Sequence, residues 1–315
     1  MKHFVKSLPV LSILLALACD ILLPDSAQHP AAEHPYFTWA LLIGLVVYVI
    51  TLLISLGNTK VRDKLSYSAL FYAGAVLVLN ILNLLTAKFA ILPVLYFPSL
   101  DRVFGVLVED SAFLATCLAY SARLLFFGWL GGAVVGMLTG IAIGFNKTFA
   151  YWVQPLVRVL GPIPSTAWIP LVLIAFPTVV SASAFLIALA VCFPTTVLTS
   201  SGIASIPNSY FEVSSTLGAG SFYRIAKVGI PAAMPHMFLG LFNGTCSSFI
   251  TLVTAEMLGA KYGIGWYINW QKEMMAYANV YAGLIIIAVT FFILITLLFK
   301  FRDRVLAWQK GVIKW

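Results

Sequence analysis

Side chains that could do chemistry are few and scattered in this 315-residue chain. The four histidines, His3, His29, His34 and His236, form no H-E-x-x-H pair or comparable set for a hydrolytic metal. His29 and His34 share a stretch with Glu33, but their spacing in a loop fixes no ligand geometry, so no metal site is expected. Cys19, Cys117, Cys192 and Cys246 stand singly in apolar surroundings, which gives neither a thiolate site nor a disulfide framework. Gly144-Phe145-Asn146-Lys147-Thr148 has the Lys-Thr of a phosphate-binding loop without the G-x-x-x-x-G before it, so the chain is not expected to hydrolyse ATP. No catalytic residue and no cofactor of its own follow. What remains is a run of small and polar residues, Gly240, Asn243, Gly244, Ser247, Ser248, Thr251 and Thr254, spaced by three and four so that they gather on one side of a helix. Hydroxyls without charge can pass a polar solute while holding it weakly, and Asn243, Gly244, Ser247, Ser248, Thr251 and Thr254 are the candidate translocation path. The plainer alternative is hydroxyls that bond their own helix carbonyls and pack.

The elements that must position this face are membrane spans. Hydrophobic residues make up 61% of the chain and charged residues 10%, with mean hydropathy +0.99. Nineteen basic and 11 acidic residues cannot cover the surface of a soluble domain. The net charge of +8 is not clustered with aromatics in a polar context, so nucleic acid is not an expected partner. Runs of ~20 apolar residues predict an all-α integral membrane protein with about eight spans, near 4–24, 36–57, 66–87, 120–145, 164–181, 183–202, 233–255 and 280–299. The first run follows Lys2 and Lys6 like a secretory signal, but Ala16-Leu17-Ala18 fits a processing site poorly, and it is read as a retained span.

Basic residues concentrate on one side of these alternating spans: Lys2 and Lys6; Lys60, Arg62 and Lys64; Lys147 and Arg158; Arg224 and Lys227; and Lys300 to Lys314. Only Lys88, Arg102, Lys261 and Lys272 fall on the other. The positive-inside rule therefore puts both termini in the cytoplasm. Two amphipathic segments then lie inside, 146–165 and 202–231. The second reads as two short helices with a break: Pro207 starts the first, Gly218 supplies the positive φ that ends it, Ser221 caps the next, and Pro231 begins the following span. Further back, Gly128, Gly132, Gly136, Gly140 and Gly144 recur every fourth residue and form a stripe that admits another helix closely, for static packing or for rocking.

Glu212-Val213-Ser214, Gly218 and Ile230-Pro231 resemble the cytoplasmic signature of permease subunits of ATP-binding-cassette importers: E-A-A, three residues, Gly, then a hydrophobic residue and Pro. Val213 and Ser214 stand where the family has alanines. Gly161 to Leu171, Ala255 to Ala260 with Gly263-Ile264-Gly265, and Phe97 to Val103 resemble segments of the nitrate, sulfonate and taurine importer group, so the likeness covers about residues 97 to 315. The resemblance implies a type I importer permease core at 119–315. Before it stand two extra N-terminal spans (1–65), then a third span with an external segment (66–118).

It also implies a cytoplasmic coupling helix that docks on the ATPase through Tyr210, Phe211, Glu212, Ser215, Gly218, Ala219, Arg224 and Pro231, and an outer gate at Glu256 and Met257. Glu256 is expected to open an external loop. The implied partners are a second copy of the chain, two cytoplasmic ATPase subunits that bind ATP and Mg, an extracytoplasmic solute-binding protein and the lipid of a bacterial inner membrane. The implied solute is a nitrate-, sulfonate- or taurine-like anion or a small vitamin precursor. The two extra spans carry no motif and are expected to fill the lipid-facing periphery. The competing class, an ion-gradient transporter, should show acidic groups or broken helices near the midplane. The acids here are read in loops or at span ends.

Overall fold

A computed structural model describes residues 2–28 and 34–308, with side chains from residue 6 onward. His29, Glu33, Lys310 and Lys314 lie outside the described residues, as does the side chain of His3. The described residues are helical with connecting turns, and they fall into two units, 1–114 with 270–284 and 115–269 with 285–315.

The first unit is built on α1 (Lys2–Leu22), α2 (Tyr36–Gly57), α3 (Thr59–Asn83), a π turn at Leu84–Lys88, and α4 (Leu100–Glu109). Asn58 ends α2 and caps α3, its side chain accepting from the backbone N–H groups of Lys60 and Val61 at 3.0 and 3.4 Å. Ile13, Ala16, Leu17, Phe37 and Leu41 form the unit's apolar core.

The unit buries charges that no motif announces. Asp20 and Lys88 are both buried, with the ammonium 3.4 Å from Asp20 and 2.8 Å from Asp25. Asn83 Nδ2 donates to Asp20 at 2.9 Å and the Thr38 hydroxyl at 2.5 Å, so the carboxylate is fully partnered. A buried charge is retained only when paired and hydrogen-bonded in this way. Asp101 accepts the backbone N–H of Phe37 at the start of α2, 2.9 Å away. Burial, with Asp20 and Asp25 adding to it, holds the Asp101 carboxyl above the usual carboxylate range.

The second unit holds most of α5 (Ser111–Phe145), then α6 (Lys147–Leu160), a 3₁₀ turn at Ser165–Trp168, α7 (Ile169–Ala175), α8 (Val179–Ala204) and α9 (Asn208–Thr216). The short α10 (Ser221–Tyr223) runs through a π turn at Arg224–Gly229 into α11 (Ile230–Gly259). The chain closes with α12 (Ile264–Glu273) and α13 (Tyr277–Val305). Six helices among the described residues are long and apolar enough to cross a membrane. A seventh is the pair 147–160 and 165–175, bent by 89°. With α1, whose 21 residues reach ~31 Å, the count comes to about the eight expected.

Two boundaries differ from the sequence expectation. The run at 164–181 is no continuous helix: Pro162 and Pro164 lack the N–H groups that would extend α6, and the chain breaks again at Phe176–Thr178 before α8. Its break, Gly161 to Thr166, lines a cleft together with Leu189, Ala190, Phe193 and Pro194, half-way along α8. The C-terminal end of the segment read as cytoplasmic therefore reaches the middle of the unit. Pro231 stands in the first turn of α11 as expected, where a missing N–H is tolerated, but the helical run does not begin there: it continues back through the π turn to Ser221.

α8 is gripped by glycines from both sides. A Cβ on Gly128, Gly136, Gly140 or Gly144 of α5 would come within 2.6 to 2.8 Å of Ile187, Cys192, Thr199 or Ile203 of α8. From α11, Gly240 and Gly244 meet Thr195 and Val191 in the same manner, at 3.0 and 3.1 Å. The backbones are near enough for Thr196 to donate its hydroxyl to the Gly136 carbonyl at 3.1 Å. The stripe is thus a close helix contact.

Candidate coupling and translocation site

α9 is short, and its end is set by one residue. Gly218 has φ +80°, its N–H donates to the Ser215 carbonyl at 3.0 Å, and the Ala219 N–H donates to the Ser214 carbonyl at 3.0 Å. These are the two bonds of a Schellman closure, which needs a left-handed residue at the position of Gly218. Phe211 turns inward, its ring edge-on to Phe145 of α5 at 6.1 Å. Tyr210, Val213 and Leu217 point the other way, 55, 60 and 82% exposed, with Glu212 beside them. A helix two turns long thus presents an apolar ridge flanked by one carboxylate.

Arg224 ties this helix to the foot of α11, donating through Nη1 to Ser215 at 2.9 Å and through Nη2 to Ser221 at 3.2 Å. Ser221 therefore accepts from Arg224, and the start of α10 is capped by no side chain, contrary to expectation. Beside them a cleft of about 430 Å³ lies between α9 and the ends of α5 and α8, with Asn208 and Arg224 on its wall.

The polar face of α11 divides in two. Gly244 is packed on Val191, and Ser248 is fully buried and bonds the Thr245 carbonyl at 2.7 Å. Thr254 bonds the Ile250 carbonyl of its own helix at 2.8 Å, and Asn243 is exposed. Ser247 and Thr251 border a cleft of about 190 Å³ against the broken span, where Ser165 and Thr166 add their hydroxyls. Ser165 and Thr251 are 2.6 Å apart, oxygen to oxygen. The α11 spacing pointed to two members of this cluster. Ser165 and Thr166 fall inside the Gly161 to Leu171 segment, where a proline-interrupted run gives no periodicity to place them on a face.

Glu256 is corrected from a loop residue to a buried one. α11 continues to Gly259 and leaves Glu256 1% exposed. One carboxylate oxygen accepts from the Ser121 hydroxyl of α5 at 2.7 Å, the other from the Gly265 N–H at 2.8 Å. Ser121 in turn accepts the Ile264 N–H at 2.9 Å. Gly263, at φ +127°, leaves room for the carboxylate; a Cβ there would lie 2.5 Å from it. Met257 is half-buried, and its carbonyl accepts from Asn269 at 3.5 Å.

Residues 132–307, more than half of the chain, match the family of binding-protein-dependent transport system inner membrane components. The chain belongs to that family. It is 33% identical over 162 residues to the aliphatic sulfonates transport permease protein SsuC of Bacillus subtilis, covering 51% of this chain and 59% of that one. It is 31% identical over 189 residues to the bicarbonate transport system permease protein CmpB of Synechococcus elongatus, covering 59 and 65%. With the taurine transport system permease protein TauC of Escherichia coli the identity is 28% over 195 residues, covering 62 and 71%. The chain thus covers less than two thirds of the length of the first two relatives. Among solved structures, the inward-facing MetNI methionine ABC transporter matches with TM-score 0.54 at 16% identity, over 63% of this chain and 98% of that one. That likeness gives a shared fold. Together with the apolar helices, the family makes this a multi-pass membrane protein.

Proposed function

We propose that the chain is the membrane-spanning permease subunit of an ATP-binding-cassette importer, with its core at 119–315. The observation that carries this is the α9 ridge closed at Gly218, on the segment that carries the family's coupling signature. A short helix with Tyr210, Val213 and Leu217 outward and Phe211 anchored inward suits docking into a groove of an ATPase. In this reading Glu212, Ser215, Ala219 and Arg224 set the helix's charge and tilt, and Pro231 lies beyond the π turn. Two ATPase subunits bind ATP and Mg on the cytoplasmic side, where both termini also lie, and this subunit performs no catalysis.

Solute passes along Asn243, Ser247 and Thr251, past the break at Gly161 to Thr166. Gly244, Ser248 and Thr254 shape the same helix, and Glu256 and Met257 stand at the outer end. Non-helical backbone at mid-height of a membrane protein must be covered by protein or face water, because lipid cannot satisfy its polar groups. That condition favours a second copy of the chain across the break, with the path between them. The relatives' names point to a small oxyanion-bearing solute, with a vitamin precursor as the other class, delivered by an extracytoplasmic binding protein in a bacterial inner membrane. A broken span also occurs in gradient-driven transporters, but no acidic residue borders this cleft.

Affinity purification from native membranes in mild detergent, with mass spectrometry of every partner, tests the reading. A cassette ATPase is expected at near-equal stoichiometry. The chain recovered alone, from crosslinked membranes as well, overturns it. For the path, Ser247→Trp is expected to fill the cleft and abolish uptake while the ATPase stays bound, and uptake at the wild-type rate would move the path elsewhere.

A further inference from the structure

The three N-terminal helices enclose an open trough of about 590 Å³, wholly within the first unit and independent of the transport reading. Its floor is apolar: Pro9 and Ile13 of α1, Val47 of α2, Val76 and Leu79 of α3. Along α3 it runs from Val61 to Leu79, about 27 Å at the helical rise, close to the ~30 Å thickness of a bilayer core.

The two ends of this unit differ in charge. Towards the α2–α3 turn the trough is lined by Thr51, Val61, Lys64 and Ser68, and Lys60 and Arg62 stand beside the same turn with Asp63 as the one acid, while Tyr48 and Tyr72 line it half-way along α2 and α3. The Lys6 carbonyl of α1 accepts the Tyr48 hydroxyl at 2.9 Å, tying α1 to the middle of α2. Asp20, Asp25, Asp101 and Glu109 collect at the other end of the helices. Water is a poor filling for an apolar floor of this length.

We propose that this trough binds one anionic phospholipid, with an acyl chain along Ile13, Val47 and Val76 and the phosphate at the basic end. The Lys64 ammonium and the Ser68 hydroxyl are the donors for the phosphate oxygens. Tyr72, 45% exposed, stands edge-on to Tyr48 at 6.4 Å, and the two rings wall the trough half-way along its length. Basic pockets between membrane helices select anionic headgroups by this combination of charge and apolar floor. The extra helices then carry a lipid site.

The test is native mass spectrometry of the full complex, purified in mild detergent and titrated with phosphatidylglycerol or phosphatidylcholine of the same acyl chains. The wild type is expected to prefer phosphatidylglycerol by about tenfold, from charge interactions of the size such clusters give. Lys64→Glu should erase that preference and Lys64→Arg should keep it. Lys300→Glu, the same charge change on α13, should leave it intact. Ala75→Trp, which narrows the trough, should lower binding of both lipids. Equal binding of the two lipids by the wild type overturns the proposal, as does an equal loss with Lys300→Glu or full retention in Lys64→Glu.

Discussion

Gly218→Pro is expected to uncouple ATP turnover from transport by about a hundredfold while the chain still inserts and accumulates in the membrane. Proline fixes φ near −65°, and the native backbone at this position stands at +80°. The substitution also deletes the N–H that bonds the Ser215 carbonyl and displaces the Ala219 bond to Ser214, so both links of the closure are lost together. A distortion of ~3 kcal/mol corresponds to about a hundredfold in rate. Gly218→Ala keeps the N–H and must only adopt a left-handed φ, at about 1–2 kcal/mol, so a loss of roughly tenfold is expected. Space does not explain the difference, since a Cβ at Gly218 meets nothing within 4 Å. The measurement is solute-binding-protein-stimulated ATP hydrolysis and uptake in proteoliposomes, beside the amount of chain in the membrane. If Gly218→Pro couples like the wild type, α9 is not the element that meets the ATPase.

The contrast between this turn and its surroundings shows what could be read from sequence. Gly218, Pro207 and the spacing back to Glu212 are local signals, and a helix end depends on a few adjacent residues. The glycine stripe on α5 was equally legible, because a four-residue period needs no partner to be seen. Its partner α8, with Ile187, Cys192, Thr199 and Ile203 against the stripe, was not, since those residues are ordinary apolar and hydroxylated types. The run at 164–181 reads as continuous because hydropathy sums composition over a window and is blind to the 3₁₀ turn at Ser165–Trp168 and the break at Phe176–Thr178 inside it; that 147–160 pairs with 165–175 across a bend of 89° is not legible in composition. The Asp20–Lys88 pair was missed for a related reason. Each residue ends an apolar run, where a charge reads as a boundary marker, and only the packing of α1 against α3 brings the two together.

Glu256→Ala is expected to be the most destabilising single change in the second unit. The carboxylate joins α11, through Ser121, to α5, and through Gly265 to the turn that starts α12. Without it, the Ser121 hydroxyl and the Gly265 N–H lose their acceptors in a buried site, at ~1–3 kcal/mol each, or roughly 2–6 kcal/mol together. That is a large share of the ~5–15 kcal/mol by which folded domains exceed their unfolded states. Glu256→Gln should cost less, about one lost acceptor in place of two. Its carbonyl oxygen can still accept from Gly265 and its amide can donate to the Ser121 oxygen, which already accepts from Ile264, so only the Ser121 hydroxyl proton loses its acceptor. Because Ser121 and Glu256 share one bond, Ser121→Ala and Glu256→Ala should be non-additive, the double variant losing less than the sum of the two. Thermal unfolding of the purified chain in detergent, run on all four members of that cycle, decides between two roles for the residue. An anchor predicts a large loss with strong coupling. A residue that acts only as an outer gate predicts a stable Glu256→Ala protein with additive energies and altered uptake, and that result would separate Glu256 from the packing of α5, α11 and α12.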